Sequence, residues 1–176
     1  MSGIGTLAMW VVAVFAGAVI VLGLLLAVLG PERVWGVFGP ADLGDVSFEK
    51  LQRRTSPNEA LAAPEGLGPA RRDITSEVYP VPADRLREAF RRAVASEARL
   101  ERVAVNDADL TERYVQRTPL LGYPDTVVVR FVDLGQGTST IVLYSRSKLG
   151  RSDLGANKAR LERWLAALGR ELRSEG

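Results

Sequence analysis

The feature that most constrains this fold is an apolar run near the N-terminus that contains no charged side chain. The run covers residues 7–29, and as an α-helix these 23 residues would be about 35 Å long at about 1.5 Å per residue. That length crosses a hydrocarbon layer of about 30 Å with a slight tilt. No polar face interrupts the run, so it is not typical of a helix packed into a soluble core. Gly30-Pro31 is expected to end the helix. Residues 1–30 are therefore predicted to be a transmembrane anchor.

A cleaved secretory signal is the alternative interpretation of this run. A signal peptide needs a basic segment first, a shorter apolar core and a small-x-small cleavage site. Residues 1–9 contain neither lysine nor arginine, and the apolar run is too long, so a retained single span is predicted. Arg33 follows the span, which favours a cytoplasmic domain under the positive-inside rule. The bias is slight, and the side of the membrane stays open.

The amino-acid composition indicates the type of organism and the kinds of partner to expect. Arginine far outnumbers lysine, which indicates a GC-rich bacterial genome and hence a bacterial inner membrane as the location. The net charge is only +2, and acidic residues alternate with basic ones, so no nucleic-acid partner is expected. The expected partner is the lipid bilayer itself. A lipid, an anionic small molecule or another membrane protein is expected as the ligand.

The rest of the chain divides at residue 73. Glycine and proline recur too often in residues 31–72 for long regular elements, so this segment is predicted to be an irregular tether. Residues 73–176 are predicted to form the globular domain. Its expected elements are strands over 74–79, 99–105, 110–118, 126–133 and 138–147, a helix capped by Asp84, and a C-terminal helix starting near Ser152-Asp153.

This order predicts an α+β fold, with an antiparallel sheet packed against a long C-terminal helix. The order of elements is similar to the helix-grip arrangement of lipid-transfer and polyketide-cyclase-like domains.

Several kinds of chemistry are excluded by composition. The chain contains no histidine and no cysteine, so Ser-His-Asp and Cys-His catalysis are excluded and zinc loses its preferred ligands. Asp107 and Asp109 are expected to shape a turn rather than to hold a divalent cation. Gly135 and Gly137 lack the third glycine and the following helix of a dinucleotide-binding motif. No cofactor and no metal are expected.

A dense cluster of polar residues lies where the last strand meets the last helix. The candidate ligand-binding residues are Ser145, Arg146, Ser147, Gly150, Arg151, Ser152, Asp153, Gly155, Asn157 and Arg160, with Asp125 as a further candidate. In a functional interpretation, arginines and serines of the cluster hold an anionic head group beside the helix N-terminus. In a structural interpretation, Ser152 or Asp153 caps the helix, Arg146 pairs with Asp153, and Asn157 and Arg160 tie the helix to the strand ends. Both interpretations stay open at this point.

Function remains divided between two classes. A membrane-anchored binding or accessory domain without catalysis is favoured. The alternative is a hydrolase or transferase at the membrane surface that uses a serine of the cluster, with Asp153 or Asp125 as its base.

The polar cluster also carries a family resemblance. The motif is Tyr144-Ser-Arg-Ser-x-x-Gly-x-Ser-Asp-Leu-Gly-x-Asn-x-x-Arg-Leu-Glu162, preceded by Pro124-Asp-Thr-Val. It resembles the signature of the bacterial and plastid domain of unknown function 1499 family. Looser similarity at Asn58-Glu-Ala-Leu and Tyr79-Pro-Val-Pro-Ala extends the resemblance to about residues 45–170. Some relatives carry cysteines near the position of Pro64, and a disulfide there would imply an extracytoplasmic domain. The resemblance implies membership of the family and no particular activity.

Overall fold

The computed structural model describes residues 2–67 and 71–174 of the chain. Its helices are α1 (Ser2–Gly36), α2 (Ala83–Val94) and α3 (Ala156–Ser174). Its strands are β1 (Glu59–Ala63), β2 (Ile74–Thr75), β3 (Val78–Tyr79), β4 (Leu100–Asn106), β5 (Thr111–Arg117), β6 (Pro124–Gly135) and β7 (Thr138–Ser147). A single 3-10 turn, Phe48–Lys50, lies between α1 and β1.

Helix α1 is long and apolar enough to cross a membrane, and none of its most apolar stretch is buried. The first helical segment ends at Gly30-Pro31 as predicted. Gly30 has φ 78° and ψ 156°, which breaks the helix sharply, and a second helical segment then continues to Gly36. The fixed φ of proline suits the first turn of a helix, so Pro31 starts the second segment. Residues 31–36 therefore form a second helical segment, which the sequence analysis assigned to the irregular tether.

The strands form one mixed sheet in the order β2-β1-β7-β6-β5-β4, with β3 paired to the free part of β7. Strands β4 to β7 are antiparallel neighbours, as the sequence predicts. The α+β class is therefore confirmed. The sheet is not wholly antiparallel, however, because β1 and β2 run parallel.

Strand β1 comes from the segment that the sequence analysis assigned to the irregular tether. Its residues Ala60–Ala63 are fully buried, and it pairs with β7 near the centre of the sheet. Alanine has a low preference for strands, so this element carries little signal in the sequence. The predicted strand over 74–79 is also divided. Its two halves, β2 and β3, pair with β1 and β7 respectively. Between them, the Ser76 backbone N–H donates to the Ala63 oxygen at 3.1 Å.

Helices α2 and α3 cover one face of the sheet. Trp164 of α3 is fully buried and makes edge contacts with Phe90 of α2 and Tyr114 of β5, at 5.8 and 6.1 Å between ring centroids. Asp84 does not cap α2, because the capping position is Pro82, which makes no side-chain bond there.

Tether residues cover the opposite face. Phe48 is buried against a second apolar cluster that includes Leu61, Val128 and Tyr144. The Leu43 backbone N–H donates to the Thr126 hydroxyl at 2.9 Å. The central strands are therefore buried on both faces, which explains the continuous apolar run in β6.

The two ends of the sheet are closed by different segments of the chain. At one end β6 and β7 join in a tight hairpin, where Gly135 and Gly137 have φ of 81° and 73°, a conformation that glycine adopts without strain. Strand β6 contains 12 residues and so extends about 40 Å at about 3.4 Å per residue. At its other end lie the β5–β6 loop (residues 118–123), the β7–α3 loop (residues 148–155) and the second segment of α1.

Candidate functional site

Part of the predicted polar cluster forms a buried network between the sheet and α3. Arg160 is 4% exposed, and its guanidinium donates to Asp125 Oδ2 at 2.5 Å and to Ser145 Oγ at 2.7 Å. Asp125 lies directly across from Ser147 in the ladder between β6 and β7. The strand register therefore aligns one carboxylate and two hydroxyls beneath the first turns of α3.

Asn157 is the centre of this network. Its Oδ1 accepts hydrogen bonds from Ser145 at 2.5 Å and from Arg160 at 2.6 Å. Its Nδ2 donates to Ser147 Oγ at 2.9 Å and to the backbone oxygen of Asn58 at 3.1 Å. The side chain is fully buried, and a buried amide with every group satisfied fixes the position of its neighbours.

The β7–α3 loop ends in a capped helix. Asp153 Oδ2 accepts the backbone N–H of Asn157 at 2.8 Å, and its Oδ1 accepts that of Gly155 at 3.0 Å. These bonds satisfy donors at the start of α3 that would otherwise lack partners. Ser152 accepts only the N–H of Leu154, at 3.2 Å. Asp153 therefore caps the helix and Ser152 does not.

Gly150 and Gly155 hold the turns of the loop, with φ of 90° and 82°. The Gly150 carbonyl accepts from Asn58 Nδ2 at 2.7 Å. Arg151 is exposed and lies outside the buried network.

Arg146 lies on the opposite face of the sheet from Ser145 and Ser147. Its Nη2 donates to the backbone oxygens of Leu43 and Gly44 at 3.0 and 2.7 Å, so it holds the tether rather than pairing with Asp153. Burial, and secondarily the nearby charge of Arg54, lower the pKa of Arg146.

The structure thus assembles six of the candidates, namely Asp125, Ser145, Ser147, Asp153, Asn157 and Arg160, and separates Arg146 and Arg151 from them.

Ser145 is not arranged as a nucleophile. Ser145 is fully buried and donates its proton to an amide oxygen, which is too weak a base to activate it. The carboxylate of Asp125 bonds to Arg160, and that of Asp153 bonds to Asn157 and the loop backbone. The geometry suits a brace that joins two strands, a helix and the tether.

A cavity of about 330 Å³ lies beside this brace, between the β5–β6 loop and the β7–α3 loop. Tyr123, Leu149 and Leu154 supply apolar wall, and Asp125 and Asp153 also line it. Neither Arg146 nor Arg151 lines this cavity. The cations that the sequence analysis assigned to an anionic head group do not meet there.

Sequence reasoning missed the junction between α1 and the sheet. Trp35 is buried and stacks on Tyr123 with 4.1 Å between ring centroids. Its indole N–H donates to the Leu121 backbone oxygen at 2.6 Å. Gly122 contacts Pro31 so closely that an added Cβ would lie 2.4 Å from the proline ring. These contacts attach the second segment of α1 to the β5–β6 loop.

A second, larger cavity of about 590 Å³ opens at this junction. Leu26 and Ala27 of the apolar run form one wall, and Leu120 and Leu121 of the β5–β6 loop contribute to another. The polar lining comes from Arg99, Arg117, Glu32 and Glu101. A polar and an apolar lining therefore meet beside the last turns of the apolar run.

The two arginines of this junction cavity are held in place. Arg99 Nη1 donates to the backbone oxygens of Thr118 and Pro119 at 3.1 and 2.5 Å, and the side chain is otherwise exposed. Arg117 pairs with Glu32 at 3.2 Å. Burial, and then the charge of Arg117, lower the pKa of nearby Lys148. No motif in the sequence brings Arg99, Arg117 and the end of the apolar run together.

Two other charged networks also escaped the sequence analysis. Glu59 accepts Arg53 Nε at 2.5 Å and the Tyr144 hydroxyl. Burial, and then this bond, raise the pKa of Tyr144. Glu112 is 1% exposed and pairs with Arg91 at 2.5 Å. Both networks stabilise contacts between the sheet and the segments that cover it.

Comparisons with known proteins identify a family. A family model described as Protein of unknown function (DUF1499) matches residues 51–168, which confirms the resemblance of the motif. No curated protein matches the chain. Among solved structures, the chain is similar to the di-domain ARO/CYC BexL from the BE-7585A biosynthetic pathway, with 14% sequence identity and a TM-score of 0.42. That match covers 65% of this chain and 46% of the other, so the chain spans less than half the length of that protein.

Proposed function

The chain belongs to the DUF1499 family, and we propose that it is a single-pass protein of the bacterial inner membrane that binds a phosphate-bearing lipid without catalysis. The junction cavity is the proposed site. The single observation that carries this proposal is the composition of its wall, because arginines and the end of an apolar membrane-length helix line the same space.

Two observations support a membrane anchor. None of the most apolar stretch of α1 is buried in the fold, and exposed side chains such as Phe15 are stable there only if lipid surrounds them. Trp35 is buried against Tyr123, so α1 continues directly into the folded domain. We expect the intact chain in the membrane pellet after alkaline carbonate washing. A soluble domain with a new N-terminus beyond residue 29 would contradict the anchor.

The position of the cavity suits the interface of a bilayer. If residues 7–29 cross the hydrocarbon layer, Leu26 and Ala27 lie about one turn inside its edge. The arginines of the same cavity then lie at the level of the head groups. An amphiphile with an acyl chain along Leu26 and a phosphate near Arg99 and Arg117 matches both parts of the wall.

The charges favour a phosphate over a neutral head group. Guanidinium groups bind phosphate oxygens through paired N–H donors. In these two hydrogen bonds Arg99 donates to backbone oxygens and not to a carboxylate. The bonds therefore do not neutralise its positive charge. Glu32 and Glu101 in the same lining also suit the ammonium group of a zwitterionic phospholipid.

Native mass spectrometry of the full chain, released from nanodiscs of mixed phospholipid composition, tests the site. We expect the wild type to retain phospholipid and the double variant Arg99→Gln/Arg117→Gln to lose it. Each lost charge-assisted hydrogen bond is worth about 1.5–3 kcal/mol, so affinity should fall at least tenfold. Arg130→Gln is the matched control, because Arg130 is also a strand arginine paired with a glutamate, Glu49, away from the junction.

Two outcomes would contradict the proposal. In one, the wild type retains no lipid. In the other, the double variant retains as much lipid as the Arg130→Gln control. A membrane protein that co-purifies in place of lipid, and is lost in the double variant, would reassign the junction to a protein partner.

A further inference from the structure

Three chain segments meet at the end of the domain where α1 joins it. Residues 31–40 contact the β5–β6 loop through Trp35 and Tyr123. They contact the β7–α3 loop through Lys148, whose ammonium donates to the backbone oxygens of Gly39 and Pro40. The two loops face each other across the smaller cavity. We name this surface, made of residues 31–40, 118–123 and 148–154, the proximal end.

Large apolar side chains are exposed at the proximal end. Leu120 lies in the β5–β6 loop and Leu154 in the β7–α3 loop, and they are 88% and 97% exposed. Val37 and Phe38, directly after α1, are also exposed. A soluble surface carries such side chains singly, whereas here four of them lie within three adjoining segments. Grouped exposed apolar residues of this kind indicate a contact surface.

The backbone holds Leu154 outward. Its φ is 53°, a left-handed conformation that leucine seldom adopts. The hydrogen bond from its backbone N–H to Ser152 and the cap at Asp153 keep the turn in this shape. The loop conformation therefore leaves the Leu154 side chain exposed, with little contact to the rest of the domain.

The position of Leu120 identifies what this surface contacts. Leu120 lines the junction cavity together with Leu26 and Ala27, which belong to the apolar run. The β5–β6 loop therefore lies beside a part of the helix that would be in the bilayer. The surface is continuous with the membrane contact of α1, so no separate partner is needed to cover it.

Basic side chains outnumber acidic ones around these apolar residues, where the acidic ones are Glu32, paired with Arg117, and Asp153, which caps α3. Arg33, Arg99 and Arg151 are exposed within or beside the three segments, and Lys148 is partly exposed. Cations on the rim of an apolar surface are attracted to anionic head groups and can extend their chains to the interface.

We propose that the proximal end docks on the same bilayer that α1 crosses, with Leu120 and Leu154 inserted among anionic lipids. The inference rests on the proposed membrane anchor but not on lipid binding in the junction cavity. In this arrangement the domain lies on the bilayer surface. The junction cavity opens at head-group depth, and the β6–β7 hairpin is directed away from the membrane.

Spin labels on the full chain test this arrangement cleanly, because the protein contains no cysteine of its own. Single-cysteine variants Leu120→Cys and Leu154→Cys are labelled in nanodiscs, and the accessibility of each label to oxygen and to a water-soluble nickel reagent is compared. Leu134→Cys is the matched control, since Leu134 is an exposed leucine of the hairpin at the opposite end of β6. Phe15→Cys reports on the anchor itself.

We expect the labels at positions 120 and 154 to shift towards the oxygen-accessible, nickel-protected values of the label at position 15. The label at 134 should remain fully accessible to nickel. The shift at 154 should be larger in nanodiscs that contain anionic lipid than in purely zwitterionic ones. Labels at 120 and 154 that are as accessible to nickel as the label at 134 would overturn the docking while a protected label at 15 keeps the anchor.

Two further outcomes also discriminate. A nickel-accessible label at 15 would overturn the anchor and the docking together. Spin–spin broadening at 120 or 154 without oxygen exposure would mean that a second copy of the chain covers the surface, which overturns the bilayer as its occupant.

Discussion

Replacing Arg160 by methionine perturbs the centre of the buried polar network. The arginine side chain is 5% exposed, and it pairs with Asp125 at 2.5 Å. It also donates to Ser145 and Asn157. Methionine fills a similar elongated space but donates no hydrogen bond. The substitution therefore leaves the Asp125 carboxylate buried without its cation.

The expected loss of stability follows from the burial of the Arg160–Asp125 pair. Removing one partner of a buried ion pair costs about 3–5 kcal/mol of the free energy of unfolding. At about 4 °C per kcal/mol for a domain of this size, Tm should fall by roughly 12–20 °C. The double variant Arg160→Met/Asp125→Asn leaves no uncompensated charge, so its loss should be smaller, about 1–3 kcal/mol.

Thermal unfolding of the full chain in detergent, followed by near-ultraviolet circular dichroism, measures the effect, because Trp164 lies in the buried core. Arg163→Met is the matched control on the same helix. Arg163 pairs with Glu97 at 3.1 Å but is 55% exposed, so we expect a loss of about 0–1 kcal/mol. The reasoning is refuted if Arg160→Met is no more destabilising than Arg163→Met, or if adding Asp125→Asn increases the loss.

Three further predictions concern the junction, the tether and pH. Gly122→Ala places a Cβ 2.4 Å from the Cβ of Pro31, at a φ of +66°. Limited proteolysis within residues 31–40 should therefore become faster. Gly36→Ala is the control, because its Cβ would meet nothing within 4 Å, and it should leave the rate of proteolysis unchanged. Arg146→Ala removes two hydrogen bonds to the tether backbone and should cost about 1–3 kcal/mol in thermal unfolding; an unchanged Tm would contradict the assigned role. The pKa of Glu49 is lowered to about 2, first by a bond from its own backbone N–H and then by the β6 arginine. Because the folded pKa lies below its ordinary value of 4.5, this stabilisation is present above pH 4.5 and is lost as pH falls towards 2. The Tm difference between wild type and Glu49→Gln should shrink over that range, and a difference independent of pH would refute the assignment.

Much of the sheet was predictable because its strongest strands carry local signals. β6 and β7 are rich in β-branched residues and are separated by Gly135 and Gly137, which the tight hairpin requires. β1 was not predictable in the same way. Its alanines have no strand preference, and only the pairing with β7 makes Glu59–Ala63 a strand.

The convergence of polar groups after β7 was predictable, but the contacts that these groups make were not, and neither was the junction cavity. The density of Ser, Asp, Asn and Arg after β7 correctly marked a place where many polar groups converge. The alternation of side chains along a strand already requires Arg146 to face away from Ser145 and Ser147. The role of Asn58 could not be inferred, because its carbonyl and amide reach the cluster from a part of the chain about ninety residues away.

The sequence by itself determined the apolar helix, the α+β class, the family and the exclusion of histidine and cysteine chemistry. These properties depend on residue identity and on short-range periodicity, which can be recognised without knowledge of the tertiary packing. Only the tertiary structure decided that most of the polar cluster is turned inward as a brace, and that Arg99 and Arg117 share a cavity with Leu26. Those contacts join residues far apart in the chain, and the free energy that brings them together comes from burying the central strands between α2, α3 and the tether.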